Sequence, residues 1–542
     1  MLGSLLIRGV DIIDGTGAPR FRGDIAVAGG RITELAGPGA LAGAERAVDG
    51  ENLALAPGFI DMHAHSDLHL LTDPGHFPKI SQGITTEVIG QDGLSYAPVD
   101  AAALVVLRRQ IAGWNGNPAD LDFSWRTVGD YLDRLDAGIT PNAVYLVPQG
   151  TLRLLVVGPE QRRATAREVD RMCALLAEGL AQGAAGMSSG LTYTPGMYAD
   201  TAELTALCEV VSAADGFYAP HTRSYGAGAL DAYAEMIDLA RVTGCAVHLT
   251  HATMNFGVNR GRAPELLAMI DDALDRGCDI SLDTYPYLPG STTLSALLPS
   301  WASSGGPDAT LARLTDPGDR SRITADVTVH GSDGCHGVTV DWETIQISGV
   351  ADPDLSRYVG RTIADIAAAQ AVSPVNVFFD LLLRDELATT ILQHVGHEEN
   401  VRAIMRHARH MGGSDALLVG DRPHPRAWGA FPRYLGRYVR ELGVLGLEEC
   451  VHHLTGRPAR RLRLRERGLI RPGYAADLVL FDPETVCDTA TFEQPKQQAS
   501  GITHVLVNGE FAIDGGMPTG TLAGRALRMT SGGTDVKGEQ NK

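Results

Sequence analysis

From about residue 56 to about residue 466 the chain repeats one pattern, a short apolar run joined to a longer segment whose apolar residues recur at helical spacing. Residues 168–182 lead to Gly186-Met187-Ser188-Ser189, and residues 263–276 lead to Asp279-Ile280-Ser281-Leu282-Asp283. Strand–helix alternation kept up over about 370 residues demands a parallel sheet with helical crossovers, and at that length a (β/α)8 TIM barrel is the expected α/β architecture. A doubly wound sheet is the alternative, but no strand-linked G-x-G-x-x-G supports a dinucleotide site.

The flanks of this block read differently. Residues 1–55 are β-like, with Leu5-Leu6-Ile7 at the start and Gly29-Gly30 as a hairpin signal, yet they are too few to enclose a core. The same character returns in 467–527, where Asn508-Gly509 is a second hairpin signal, so the two ends are expected to build one small bipartite β-sandwich. Within the barrel block, 296–352 lapses into Gly-, Ser-, Asp- and Pro-rich sequence and reads as a lid-like insertion. The last stretch, 528–542, is polar and reads as a disordered tail.

Charge and cysteine content bound the partners. With 65 acidic against 46 basic residues the chain carries a formal charge of −19, which repels phosphate backbones and anionic lipid, so nucleic acid and membrane are poor partners. Seven cysteines without close pairs argue against a disulfide framework, and no run of about 18 apolar residues could span a bilayer. A soluble protein of the cytoplasm acting on a small molecule is expected, and a homo-oligomer is compatible with that reading. Lysine stands only at 79, 496, 537 and 542, so chemistry that needs a mid-chain lysine is excluded.

The segment Ala56-Pro57-Gly58-Phe59-Ile60-Asp61-Met62-His63-Ala64-His65 carries the strongest chemical signal. A Pro-Gly turn releases an apolar strand, and His63 and His65, two residues apart, share one face of it. Two imidazoles converging at a barrel mouth suit a divalent metal. Together with Gly83-Ile84-Thr85-Thr86, Gly190-Leu191-Thr192-Tyr193-Thr194-Pro195-Gly196, Asp283-Thr284-Tyr285-Pro286-Tyr287, His424-Pro425-Arg426 and Gly473-Tyr474-Ala475-Ala476-Asp477-Leu478, this segment resembles the amidohydrolase superfamily. The nearer resemblance, over almost the whole length, is to its D-aminoacylase branch, the N-acyl-D-amino-acid deacylases.

That resemblance implies a metal-dependent hydrolase of an N-acyl bond, with one tightly held Zn²⁺ and a second, looser position. His221 and His251 match the histidines of the tight site, and His63 and His65 are the further histidine ligands of the centre, with His63 at the looser position. The family's cysteine ligand falls where this chain has Asp92, and an oxygen donor there would widen the choice of ion to Mn²⁺ or Co²⁺. Asp415 matches the catalytic aspartate, which exchanges a proton with water and the leaving amine. Arg223 and Arg426 are the expected guanidiniums for the substrate carboxylate, with Tyr193, Tyr287 and Ser291 as hydroxyl donors. His248 reads as a core histidine, and His394, His397, His407 and His410 as surface ones.

Two departures from the family pattern, Thr253 in place of a lysine and Tyr225 in place of a glutamate, leave other substrates open. A cyclic-amide, lactone or other ester and amide hydrolase is the alternative within enzymes. An inactive metal-binding homologue is the alternative outside them.

Overall fold

The computed structural model describes residues 4–530 and 533–534. The chain opens with β1 (Leu5–Ile12), β2 (Phe21–Ala28), β3 (Arg31–Ala36), β4 (Arg46–Asp49) and β5 (Ala54–Pro57). The barrel strands follow: β6 (Phe59–Asp61), β7 (Ile84–Ile89), β8 (Asn142–Pro148), β9 (Gly186–Gly190), β10 (Phe217–His221), β11 (Ala246–Leu249) and β12 (Ile280–Thr284). After β13 (Gly290–Thr293), β14 (Ile345–Gly349) and β15 (Thr390–Gln393) comes the last barrel strand, β16 (His410–Gly412). The chain returns to the first sheet as β17 (Leu478–Phe481), β18 (Ile502–Val507), β19 (Glu510–Asp514) and β20 (Met517–Pro518).

Strands β6 to β12 and β16 form one eight-stranded sheet in chain order. The pairs are parallel, as in the register Phe217↔Gly186 to His221↔Gly190 between β10 and β9. A parallel bridge between Ala64 and Ala416, with Met62 N donating to Gly412 O at 3.1 Å, joins the last strand to the first and closes the barrel. Helices cover its outside, so a strand such as β8 is buried at every residue and reads as a continuous apolar run. The crossover helix Ala166–Ala181 begins at a capping box in which Thr165 and Glu168 each satisfy the other's backbone N–H.

Both chain ends enter one nine-stranded sheet, joined where β5 pairs antiparallel with β17. The two-residue period of these strands sorts their side chains. Leu55, Leu478 and Leu480 face an inner core with Ile7, Val10 and Ile25, whereas Ala54, Ala56, Val479 and Phe481 pack on Phe59, Ile84 and Phe431 of the barrel. The sheet is thereby fixed to the barrel beside the strand that carries the H-x-H motif.

Two boundaries differ from those read in the sequence. The insertion is not 296–352 but runs from about residue 290 to about residue 393 between β12 and β16, as a three-stranded sheet in the order β13-β15-β14. It has its own core, which includes Leu297, Val327, Ile347, Phe378 and Leu382. Its strand β14 and the helices Ile363–Gln370 and Pro374–Arg384 imitate barrel units, so periodicity alone cannot tell them apart. The polar tail also starts later than 528. Leu527 N donates to Ala143 O and Met529 N to Gly183 O, both at 2.8–3.0 Å, and Arg528 pairs with Asp133 and Asp136, so this stretch is strapped under the barrel. The remainder of that expected tail, 531–532 and 535–542, lies outside the described residues.

Candidate metal centre

The ends of the barrel strands bring His63, His65, Asp92, His221, His251 and Asp415 together. Pro57 ends β5 and Gly58 makes the turn, where a Cβ would stand 2.2 Å from Thr85 Oγ1, so only glycine lets β6 start beside β7. Gly93, at φ 71°, is equally constrained, because a Cβ there would meet Gly190 N at 2.4 Å. Asp92 (φ 54°), His251 (φ 32°) and Asp415 (φ 48°) all hold left-handed backbone just past their strands. Strain of that kind concentrates where surrounding structure fixes a functional geometry.

The donors fall into two groups that share Asp92: His63, His65, Asp92 and Asp415, and Asp92, His221 and His251, each with its ligand atoms within 4.8 Å of one another. His63 Nε2 lies 3.2 Å from His65 Nε2, and His251 Nε2 lies 3.0 Å from His221 Nδ1. Asp92 Oδ2 is 3.3 Å from His221 Nδ1, and its Oδ1 is 3.5 Å from His63 Nε2 and 3.6 Å from His251 Nε2. Asp415 Oδ1 is 3.2 Å from His65 Nε2 and 3.6 Å from His63 Nε2.

This donor set fits divalent metal. Two ring nitrogens that face each other can share at most one proton, and Asp92 Oδ1 is buried without a hydrogen bond. Thr192 Oγ1, 2.7 Å from His221 Nε2, fixes that ring from behind and leaves Nδ1 toward the cluster. All donors are nitrogen and oxygen, with no thiolate among them. Burial disfavours charge on both carboxylates, yet His221 and His63 hold Asp92 well below the usual carboxylate range, and Arg426 and His63 do the same for Asp415. Burial lowers His63 to about 4, while Asp92 outweighs burial at His251 and raises it to about 9.

A cavity of about 60 Å³ sits over this cluster, walled by Trp114, Tyr193, Tyr225, Ser291 and His336 among others. A far larger one, about 770 Å³, opens at the other end of the barrel around Phe217, Asp279 and Arg409, remote from the cluster, so the donors and not the volume mark the site.

Of the residues expected to bind substrate, Tyr193 and Ser291 line the cavity and three do not. Arg223 is spent on Glu235, at 2.7 Å, and on Ala199 O, also at 2.7 Å. Tyr287 donates to Asp488 at 3.2 Å under the guanidinium of Arg433, and Tyr285 takes its place on the cavity wall. Arg426 is fully buried, with Nη1 3.0 Å from Asp415 Oδ2 and its guanidinium carbon 4.5 Å over Tyr285, so it clamps the aspartate and has no face on the cavity. His248 lies outside the cluster, bonded to Asp283 at 3.0 Å and Ser281 at 2.8 Å. His410 is buried against His453 at 3.0 Å and is not a surface residue.

Other supports were assigned no role from the sequence. Asp283 Oδ1 accepts from His251 N at 3.0 Å and so holds the left-handed turn there. Lys79, wholly buried, donates to Asp61 Oδ2 at 2.5 Å and to Ser414 Oγ at 2.8 Å, and pairs with Glu87 at 2.7 Å. Asp61 Oδ1 in turn accepts from His63 N and Ser414 N, so one buried ammonium braces the strands that carry His63 and Asp415.

The chain is similar to known proteins along almost its whole length. A family described as "Amidohydrolase family" matches residues 46–513. The D-aminoacylase of Alcaligenes xylosoxydans is 37% identical over 537 residues, covering 97% of this chain and 98% of its own. The N-acyl-D-glutamate deacylase of the same organism is 36% identical over 530 residues, covering 97% and 96%. The crystal structure of the N-acyl-D-glutamate deacylase of Bordetella bronchiseptica, complexed with zinc and a phosphonate mimic of the tetrahedral intermediate, superposes with a TM-score of 0.81 at 34% identity, covering 97% of this chain and 100% of that one.

Proposed function

Because the chain belongs to the amidohydrolase family, we propose that it is a metal-dependent N-acyl-D-amino-acid deacylase, which hydrolyses the N-acyl amide to a carboxylate and a free D-amino acid. The observation that carries this is the convergence of four histidines with Asp92 and Asp415 at the C-terminal mouth of the barrel. The relatives' activities give the substrate class, since proteins that match along the full length are named for removal of acyl groups from D-amino acids.

Asp92 and the histidines would hold one or two ions, Zn²⁺ by analogy with the Bordetella structure, and Mn²⁺ or Co²⁺ because an all-oxygen-and-nitrogen set discriminates less toward soft metals. A divalent ion held there would supply a Lewis acid for the amide carbonyl and would lower the pKa of water toward neutrality. Asp415 handles the proton. Arg426 holds its Oδ2, leaving Oδ1 toward the cluster to accept a proton from the attacking water and return it to the departing amine. Tyr193 and Ser291 line the cavity and would present hydroxyls to the substrate, with the Tyr193 hydroxyl 3.0 Å from Thr292 Oγ1.

The test is a panel of N-acyl-D- and N-acyl-L-amino acids, hydantoins and lactones, assayed with metal-loaded protein. Release of free D-amino acid in preference to the L form supports the reading. Loaded protein that leaves every N-acyl-D-amino acid intact contradicts it.

A further inference from the structure

At the end of the barrel opposite the metal cluster lies the cavity of about 770 Å³, a volume in the range of small-molecule sites. It is open because small residues stand where larger ones would fill it. Eight alanines line it, among them Ala181 at the end of the helix Ala166–Ala181, Ala185 just ahead of β9 and Ala246 at the start of β11. The floor is apolar and includes the buried Leu180, Phe217, Met411 and Leu462. Among the described residues Ser281 supplies the one hydroxyl on the lining, and it is spent on His248 Nδ1 at 2.8 Å. A sugar or other polyol would therefore find few partners there.

The rim is cationic in a chain whose formal charge is −19. Arg409, Arg457, Arg460, Arg461 and Arg463 line the cavity against Asp215 and Asp279. Three of the five come from the helix Gly456–Arg461 at positions i, i+3 and i+4, which share one helix face and repel one another. Arg461 is held by Asp279 at 2.7 Å, Arg463 by Asp215 at 3.4 Å and Arg457 by Glu449 at 2.5 Å. Arg409 and Arg460 are exposed, and among the described residues their guanidiniums have no ion pair or hydrogen bond. Arg457 registers the excess charge. Burial holds it below the usual arginine range, and Arg409 and Arg460 add to that effect against the pull of Glu449. Two uncompensated cations over an apolar floor concentrate a positive field on the cavity.

We propose that this cavity is a second ligand site, taking an aliphatic carboxylate of medium chain length with its tail on the apolar floor and its head on Arg409 and Arg460. The site is separate from the metal centre and does not depend on the deacylase reading. A cation is repelled by the rim, and a neutral apolar molecule would leave both guanidiniums unpaired. An anion with an apolar body satisfies floor and rim together. A carboxylate is the head that this rim already accepts, since Asp279, Asp215 and Glu449 each occupy one of its arginines, and the guanidinium fork fits two carboxylate oxygens.

The experiment is a calorimetric titration of the whole, zinc-loaded chain with decanoate, acetate, decanamide and decyl phosphate. Decanoate should bind saturably at one site. Acetate, which lacks the tail, should bind at least about a hundredfold more weakly, and decanamide, which lacks the charge, about tenfold more weakly. A carboxylate can also ligate zinc, so variants at the rim locate the binding. Arg409→Gln and Arg460→Gln should each weaken decanoate about tenfold while bound zinc stays unchanged. Ala181→Phe, placed at an exposed helix end so that the core is spared, should weaken it as much by filling the cavity. Decanoate that does not bind, that binds no better than decanamide, or that is indifferent to all three variants overturns the proposal and leaves the arginines as a solvated helix end. Tighter binding of decyl phosphate than of decanoate also overturns it, because the head group is then a phosphate. Binding seen only after residues 535–542 are removed makes the chain's own end the occupant and overturns it as well.

Discussion

Asp415 is built as a proton carrier whose two oxygens have separate duties, one against Arg426 and one toward His65 and His63. Replacing it by asparagine keeps the shape and the left-handed backbone but removes the base, so kcat should fall by roughly 10²- to 10⁴-fold. Metal at the Asp92–His221–His251 group should persist, because Asp415 is not one of its donors. Steady-state rates read beside elemental analysis check both halves of this statement. Lys79 makes the opposite kind of contribution, touching no cavity but neutralising Asp61 and Glu87 where no water reaches. Lys79→Met would strand two buried carboxylates, and the expected loss is about 3–5 kcal/mol of stability, the usual cost of breaking a buried ion pair from one side. Urea unfolding of the variant measures it.

At the scale of elements, β16 and the helix Leu447–Leu454 are joined by His410 and His453, which face each other at 3.0 Å in the interior. Burial pushes His410 well below the usual histidine range and His453 down to about 4, with Arg457 adding to both. The folded protein therefore refuses protons that the unfolded chain accepts once the pH drops below about 6.5. The stability these two neutral rings contribute is fully present above that value and is lost as the pH falls toward 4. The urea midpoint of metal-loaded enzyme should decline between pH 7 and pH 5, and His453→Gln should flatten that decline. A midpoint insensitive to pH over this interval would contradict the assignment. The insertion is the other element with a function to test. Leu297 and His336 of the insertion wall the cavity over the cluster, so access of an acylated amino acid is expected to depend on the insertion's freedom to move. A disulfide engineered between the insertion and the loop after β10 should slow turnover in its oxidised form and restore it on reduction.

For the molecule as a whole, what could be read in the sequence was what is encoded locally. The alternation of strands and helices, the H-x-H pair on one strand face and the histidines that end β10 and follow β11 each depend on neighbours a few residues away. What could not be read depends on choices between distant partners. Nothing near Arg223 announces that Glu235 will take its guanidinium, nothing near Arg426 that Asp415 will, and nothing near His410 that His453, 43 residues on, closes over it. The far boundary of the insertion was hidden for a related reason, since a strand followed by helices at 345–384 has the pattern of a barrel unit and only the pairing of β14 with β15 shows otherwise.

The account stands on Asp92 as the carboxylate shared by two metal groups in an N-acyl-D-amino-acid deacylase. The most direct measurement is a zinc titration of metal-stripped wild type and Asp92→Asn, with bound metal and hydrolysis of an N-acetyl-D-amino acid followed together. In wild type both should rise in step, and in the asparagine variant, which keeps the left-handed turn but lacks the charge, both should be lost. Asp92→Asn that binds a full complement of zinc and turns over normally would contradict the account.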